Sequence, residues 1–386
     1  MRVLFVSSLW PPAMRGGAEA YAARLAAELR AAGHRTGAFT LGIGGPDVVG
    51  QSPAWPYRLH ESETQPSWKR AAFHGRDQFD PVASYRLRQA IDRFRPDVVH
   101  SHSVAGLSAA ALTTPSARGV PHVHTLHDYW LLCQRTSLVT RDGVACEVRC
   151  PGCRVVSGLR RAMTVRHHPP VLIAVSEAVA DEHRRAGVPD QRLRVIHNPV
   201  EPARAAARRA REGRRSGPTR LGFLGQLVAI KGLALLLEAL RSLEDVELLV
   251  AGDGPLLAEV EATPRARALG WVDDDGRERF FDEIDCLVVP SAWKDPAPLV
   301  VNEARSRGLP VIAARIGGLP ELVPATCRPL LFEPHDAFDL VAKIRMFSAA
   351  PDRFTPGPEP AVAAWPEHMA QVLDAYADAG TAPASP

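Results

Sequence analysis

Short apolar runs recur along the chain, and between them lie polar or glycine-rich turns followed by stretches with helical spacing. Residues 2–6 form the first apolar run, and Tyr21, Leu25 and Leu29 then recur across residues 18–32. A continuous apolar run is typical of a parallel strand buried on both faces, and the repeated interval is typical of an amphipathic helix. This alternation predicts a doubly wound α/β fold, in which ligands bind at the carboxyl ends of the strands.

The same alternation starts again after residue 217, which predicts two domains. Residues 203–217 are mainly alanine and arginine without an apolar face, as is typical of a solvated linker. We assign residues 1–200 to an N-terminal Rossmann-like domain, 201–217 to the linker and 218–364 to a C-terminal Rossmann-like domain. Residues 44–80 are polar and glycine-rich but contain interspersed aromatic side chains such as Trp55 and Tyr57, which predicts a long acceptor-side binding loop.

The stretch 284–321 has the most informative pattern. An apolar run at 286–290 is followed by an irregular loop, by a short segment from Pro298 that ends at Gly308, and by a second apolar run. Proline in the first turn and glycine after the last turn bracket a helix, whose N-terminus lies at the carboxyl end of a strand. The backbone N–H groups of Leu299 and Val300, together with the helix dipole, would then bind an anion such as phosphate.

Two carboxylates flank this predicted anion site. Asp295 lies before the helix and Glu303 lies about one turn inside it. Both side chains can therefore border a ligand whose phosphates contact the helix N-terminus. The alternative is that Asp295 caps the helix and Glu303 is a solvated surface charge.

Two other positions are suited to a diphosphate. Gly16 and Gly17 stand where the first helix begins, so that backbone can approach a phosphate closely, and Lys231 precedes a helix of the second domain. The glycine pair lacks the spacing of a dinucleotide fingerprint, which argues against nicotinamide binding. A flexible surface loop is the alternative interpretation of this pair.

Histidines and cysteines cluster in the first domain. Five histidines lie near the ends of two predicted strands, either as a metal site or, more simply, as fillers of polar crevices: His100, His102, His122, His124 and His127. His127 differs from the others because it directly follows its strand, where ligands are expected. Four cysteines follow within one loop, and their spacing predicts either a structural zinc site made of thiolates or free thiols: Cys133, Cys146, Cys150 and Cys153.

Composition narrows the choice of partners and location. The chain has 386 residues and a formal charge of +3, and its positive charge comes almost entirely from scattered arginines. That distribution does not predict nucleic-acid binding, but it is compatible with anionic substrates or with peripheral binding at the inner face of a membrane. The N-terminal residues lack a signal-peptide pattern and no apolar run reaches spanning length, so we expect a cytoplasmic protein.

Together, these segments resemble the retaining GT-B glycosyltransferases of family 4. The resemblance implies two doubly wound domains facing a central cleft and a C-terminal helix, at about residues 365–380, that crosses back to the first domain. It also implies roles for single residues. His127 and Asp295 would contact the donor sugar, Glu303 the ribose, and Lys231 with the glycine pair the diphosphate. A further segment, Gly270, Trp271 and Val272, would line the nucleobase pocket.

The implied reaction is hexosyl transfer from a UDP- or GDP-sugar to an acceptor hydroxyl, with retention at the anomeric carbon. The acceptor would be a sugar, a lipid-linked molecule or a small molecule in polysaccharide, glycolipid or natural-product glycoside synthesis. No catalytic metal is expected. The chain departs from the family at Asp295, where glutamate is usual, and at Gln226, where arginine is usual. These departures make a non-catalytic nucleotide-sugar-binding protein one alternative. The other is a nucleotide-sugar hydrolase or epimerase, which would have the same fold but use water or the donor itself as reactant.

Overall fold

The chain forms two compact units. The computed structural model describes residues 1–13, 16–42, 44–45, 47–54, 65–140, 143–165, 170–199, 217–356 and 363–381. Unit 1 comprises Met1–Leu138, Cys146–His197 and Trp365–Pro386, and unit 2 comprises Val139–Ala145 and Asn198–Ala364. The predicted linker, apart from Gly217, lies outside the described residues. Within the described residues, we find no helix that is both long and apolar enough to cross a membrane.

Unit 1 is built on a parallel sheet in the order β3-β2-β1-β4-β5-β6-β7. Its strands are β1 (Arg2–Val6), β2 (Arg35–Leu41), β3 (Val48–Ser52), β4 (Val98–Ser101), β5 (His122–Leu126), β6 (Val171–Ala174) and β7 (Leu193–Val195). β4, β5 and β6 are buried along their whole length, and β6 has the continuous apolar run that such burial favours.

The helices of unit 1 connect these strands. They are α1 (Gly17–Ala31), α2 (Ser67–Arg76), α3 (Pro81–Phe94), α4 (Ala110–Ala117), α5 (Pro151–Val165) and α6 (Glu177–Arg185). Local sequence sets several of their starts. Asp80 accepts hydrogen bonds from the N–H groups of Val82 and Ala83 with Pro81 in the first turn, and Ser176 accepts from Val179.

The prediction of one long loop at residues 44–80 is wrong, because β3 and α2 lie within it. β3 is an edge strand in which only Ser52 is buried, and α2 buries only Phe73. Neither element therefore has an apolar run or stripe that would reveal it. Trp55 and Tyr57 lie outside the described residues.

Unit 2 contains a second parallel sheet, in the order β10-β9-β8-β11-β12-β13. Its strands are β8 (Thr219–Leu224), β9 (Val246–Ala251), β10 (Ala266–Gly270), β11 (Cys286–Val289), β12 (Val311–Ala314) and β13 (Leu331–Phe332). Its helices are α7 (Leu233–Arg241), α8 (Leu257–Glu261), α9 (Asp274–Glu283), α10 (Leu299–Ser306), α11 (Leu319–Leu322) and α12 (Ala337–Ala349). The two sheets confirm the predicted fold class of two Rossmann-like α/β domains.

The C-terminal helix α13 (Trp365–Thr381) packs into the core of unit 1. Its buried side chains Trp365, Val372 and Tyr376 belong to the same apolar cluster as Phe5 of β1 and Tyr21 of α1. A chain end separated from the rest of unit 1 by residues 198–364 thus completes that unit's core.

Candidate functional site

Lys231 is placed by a tight turn in unit 2. It ends a 3-10 turn, Ala229–Lys231, and Gly232 then adopts φ +74 before α7 begins. A Cβ atom at Gly232 would lie 1.7 Å from the carbonyl oxygen of Pro290, so only glycine fits here. The backbone around Lys231 therefore lies directly against the residue that follows β11.

Asp295 lies in the loop after β11 and contacts that lysine. Lys231 Nζ donates to Asp295 Oδ2 at 2.7 Å, and Ser291 Oγ donates to the same oxygen at 3.2 Å. The Asp295 side chain is 5% exposed, whereas that of Lys231 is 27% exposed. The structure thus brings together two of the predicted site residues, one of them buried and the other able to reach solvent.

The turn after β12 supports the Asp295 loop from behind. Gly317 has φ +59, and a Cβ atom there would lie 2.5 Å from the backbone oxygen of Asp295. The N–H group of Gly318 donates to that oxygen at 2.9 Å. The Asp295 backbone is therefore fixed by a neighbouring strand end as well as by its own loop.

α10 begins directly after this loop, at the carboxyl end of β11. Pro298 is its N-cap and gives no side-chain hydrogen bond to the first turn. The N–H groups of Leu299 and Val300 lie in that turn, where an α-helix has no intrahelical acceptors for its donors and a positive dipole end. The helix therefore begins after the carboxyl end of β11, as the sequence predicts, and anion binding there stays a prediction.

Glu303 lies one turn further along α10 with one carboxylate oxygen open. Arg277 donates to Oε1 at 3.0 Å, while Oε2 is buried without a hydrogen-bond partner among the described residues. Burial raises the pKa of Glu303, and the positive charges of Arg277 and Arg307 oppose that rise. An unpartnered acceptor in a largely buried side chain is suited to a ligand hydroxyl.

The third predicted segment of unit 2 lies at the end of β10. Gly270 ends the strand with φ +68, and Trp271 is 77% exposed. Asp273 then caps α9 by accepting from the N–H group of Gly276 at 2.7 Å. The large apolar surface of Trp271 is thus open to solvent beside the helix that supplies Arg277.

His127 of unit 1 lies among aromatic rings just after β5. Its Nε2 and the Nδ1 of His102 share a hydrogen bond at 3.1 Å, and its ring centroid is 5.0 Å from that of Tyr21. Burial lowers the pKa of His127 to about 3, so the imidazole is neutral near pH 7. A neutral imidazole can both donate and accept a hydrogen bond.

The other histidines are engaged with hydroxyl groups. His100 contacts Thr125 Oγ1 at 2.7 Å and the Tyr376 hydroxyl at 2.8 Å, and Ser101 Oγ lies between His122 and His124 at 2.8 and 2.9 Å. These contacts fit the simpler interpretation, in which these side chains fill polar crevices at the strand ends.

The glycine pair at the start of α1 is already hydrogen-bonded in part. The N–H group of Gly16 donates to Glu19 at 2.9 Å, and Gly17 opens the helix. The charge of Glu19 also acts on Asp128, the residue after His127, whose pKa burial raises to about 6. The start of α1 and the His127 loop are therefore neighbours in unit 1.

The cysteine loop brings two of its thiols into contact. Cys133 and Cys153 have sulfur atoms 3.8 Å apart. In the part of the chain that the structure describes, we find no group of three or more histidine, cysteine, aspartate or glutamate side chains arranged to hold a metal ion. The zinc site inferred from the spacing stays a prediction at this point.

Sequence reasoning missed Arg277, Ser291 and the support from Gly317. Arg277 is 26 residues from Glu303 and on another helix, so no local pattern links the two. Ser291 could have been found, because it follows the carboxyl end of a strand.

Two models of known protein families match the chain, one over an N-terminal range and one over a C-terminal range. Residues 15–204 match the model of Glycosyltransferase Family 4, and residues 218–349 match that of Glycosyl transferases group 1. A sulfoquinovosyl transferase of Arabidopsis thaliana is 28% identical over 275 residues, which are 68% of this chain and 52% of that protein. The chain thus matches only about half the length of that relative.

One further relative and one solved structure match over a greater share of their length. A glycogen synthase of Mycobacterium tuberculosis is 28% identical over 375 residues, which are 89% of this chain and 85% of that enzyme. The crystal structure of HepE from Anabaena in complex with UDP and glucose superposes with a TM-score of 0.68 at 18% identity, over 98% of this chain and 100% of that chain. At that identity the superposition establishes a common fold.

Proposed function

Because the chain belongs to the GT-B glycosyltransferases of family 4 and group 1, we propose that it moves a hexosyl group from a UDP- or GDP-sugar to an acceptor hydroxyl with retention at the anomeric carbon. HepE, whose fold is shared, binds UDP and glucose, which supports a uridine donor. The acceptor belongs to polysaccharide, glycolipid or glycoside synthesis.

The observation that carries the proposal is the placement of Lys231 and Asp295 beside the start of α10. A departing nucleoside diphosphate develops negative charge, which preorganised cations and N–H groups stabilise. Lys231 supplies the cation, and Leu299 and Val300 supply N–H groups a few residues after Asp295. This set provides positive potential for the diphosphate from the chain's own groups.

Glu303 would orient the nucleotide through its ribose. Its Oε2 is an open acceptor, and Arg277 holds the other oxygen in place. A ribose hydroxyl that donates to Oε2 would satisfy this buried atom. Trp271 would offer an exposed aromatic face to the base.

Asp295 and His127 would bind hydroxyls of the transferred sugar. In the reaction the bond from the anomeric carbon to the phosphate oxygen breaks and the nucleoside diphosphate leaves, a bond to the acceptor oxygen forms, and the acceptor hydroxyl gives its proton to the departing diphosphate. The carboxylate of Asp295 supports positive charge on the sugar ring, and the neutral His127 holds a hydroxyl without adding charge. Neither role requires these residues to form a covalent bond.

A thermal-shift panel of UDP- and GDP-sugars tests the proposal. A ligand that binds only the folded state raises the melting temperature by mass action, so at least one donor should produce a concentration-dependent rise. Lys231→Met should abolish the rise. Lys343→Met is the matched control, because Lys343 also pairs with an aspartate in unit 2, Asp339 at 3.5 Å, and should keep the rise. A panel without any shift would contradict the proposal.

A further inference from the structure

The loop that follows His127 folds back so that backbone N–H groups face a buried sulfur. Cys133 is 2% exposed, and its own N–H group donates to the carbonyl of Tyr129 at 2.8 Å. Its sulfur accepts from the N–H group of Arg135 at 3.4 Å. Backbone donors to sulfur stabilise the thiolate form and orient it, as hydrogen bonds around metal ligands do.

Cys150 and Cys153 lie in a turn that also directs a backbone N–H group at a sulfur. In Cys150-Pro151-Gly152-Cys153 the N–H group of Cys153 donates to the sulfur of Cys150 at 3.4 Å. Two cysteines separated by two residues are a common unit of zinc sites, because such a turn directs both sulfurs to one side. This turn also opens α5, so the helix start is tied to the pair.

The distance between the sulfurs of Cys133 and Cys153 is compatible with two ligands of one metal ion. The sulfurs of Cys133 and Cys153 are 3.8 Å apart. Two ligands at a Zn–S distance of about 2.3 Å in a tetrahedron are separated by about 3.8 Å, whereas a disulfide requires about 2.05 Å. The observed separation fits one edge of a tetrahedral thiolate site, as it also fits a contact between two thiols, and it is too long for a disulfide.

A small antiparallel turn brings the backbone of Cys146 back beside Leu138. Its N–H group donates to the carbonyl of Leu138 at 2.7 Å, five residues after Cys133. Cys146 is half-buried and Cys150 is exposed, so these two side chains have room to rotate. The pair that is already in place is the more buried one.

We propose that Cys133, Cys146, Cys150 and Cys153 bind one zinc ion in a closed, structural site. Cys133 and Cys153 supply the existing edge, and the side chains of Cys146 and Cys150 turn inward to complete the tetrahedron. Four thiolates leave no position for water or substrate, so the ion takes no part in sugar transfer. The inference is independent of the proposed function.

The ion would fix the His127 loop through α5. Arg160 of α5 is fully buried, donates to the carbonyls of Trp130 and Cys133, and pairs with Asp77 at 2.8 Å. Asp77 also accepts from Trp130 Nε1 at 2.7 Å. Zinc would join the start of α5 to Cys133, and Arg160 already joins its middle to the same segment. The segment just after His127 would then be held at two points.

Metal analysis of the purified full-length protein is the first test. We expect about one zinc per chain that survives gel filtration, and four thiols that react only after a chelator is added under denaturing conditions. Cys150→Ser should lose most of the zinc. Val148→Ser is the matched control, because Val148 is 79% exposed in the same loop and offers no ligand.

Cobalt replacement in the wild-type protein is the second test, and it needs no variant that might misfold. Tetrahedral cobalt with four thiolates should give an intense sulfur-to-metal charge-transfer band together with strong visible bands. A protein without zinc whose thiols react freely in the native state would overturn the proposal. So would a Cys133–Cys153 disulfide in the isolated protein, or cobalt spectra without thiolate bands.

Discussion

Replacing Asp295 with asparagine should lower activity while leaving the fold almost unchanged. The carboxylate is 5% exposed and accepts from Lys231 at 2.7 Å and from Ser291 at 3.2 Å. Asparagine has the same shape but no charge, so a donor-sugar hydroxyl would lose a charged acceptor. Losing such a bond costs about 1–3 kcal/mol, which corresponds to a fall in kcat/KM of roughly 5- to 150-fold.

The effect on stability should be unequal for the two partners of this ion pair. In Asp295→Asn the lysine, 27% exposed, can still be solvated, so the melting temperature should hardly change. In Lys231→Met the carboxylate stays buried without its cation. Breaking a buried pair in this way costs up to about 3–5 kcal/mol, and Ser291 lessens that cost here.

The assay is steady-state kinetics with the identified donor, together with thermal unfolding of both variants. Asp295→Glu, which restores the residue usual in the family, is the control and should retain far more activity than asparagine. Parent-like kcat/KM in Asp295→Asn would show that the carboxylate does not contact the donor. Equal melting temperatures in Lys231→Met and the parent would refute the energetic reasoning.

Three further predictions concern the nucleotide, metal ions and pH. Glu303→Gln should weaken donor binding by about 1–3 kcal/mol, because Oε2 is the acceptor proposed for a ribose hydroxyl. This loss should appear as a higher KM for the donor with a smaller effect on kcat, and an unchanged KM would argue against ribose binding. Turnover should persist in a chelator that removes divalent ions, and recovery on adding magnesium would contradict this. Burial lowers the pKa of His122 from 6.5 to about 3, so acid favours the unfolded state, which binds the proton. The stability associated with the neutral ring is present above pH 6.5 and is lost as the pH falls toward 3. We therefore measure the unfolding free energy in urea between pH 7 and 4 for the wild-type protein and for His122→Asn. The decline toward acid pH should be shallower in the variant than in the wild-type protein, by at most about 1.4 kcal/mol per pH unit.

The sequence was most informative where burial forces a continuous apolar run. β1 and β11 lie in sheet interiors and their apolar runs predict them directly, and the loop after β11 could be placed because parallel strands share a ligand-binding edge. β3 could not be found in this way, because an edge strand with one buried residue needs no apolar run. Local pattern therefore predicts the buried centre of a sheet better than its rim.

In the candidate site, too, some features could be predicted from the sequence and others could not. Asp295, Leu299 and Glu303 lie on one short segment, so their shared location follows from spacing. The partner of Glu303, Arg277, comes from a separate helix, and the fit of Gly317 against Asp295 comes from another strand end. Such contacts depend on tertiary packing, which a single sequence does not specify at residue level.

The most direct test of sugar transfer follows the anomeric carbon of a ¹³C-labelled donor by NMR, with a panel of acceptors and the wild-type protein. We expect a new glycosidic signal with the anomeric configuration of the donor, in amounts equal to the nucleoside diphosphate released. Asp295→Asn should form the same product more slowly. Release of free sugar in place of a glycoside would identify a hydrolase. Tight donor binding with no release of nucleoside diphosphate for any acceptor would identify a binding protein, and either result would contradict the account.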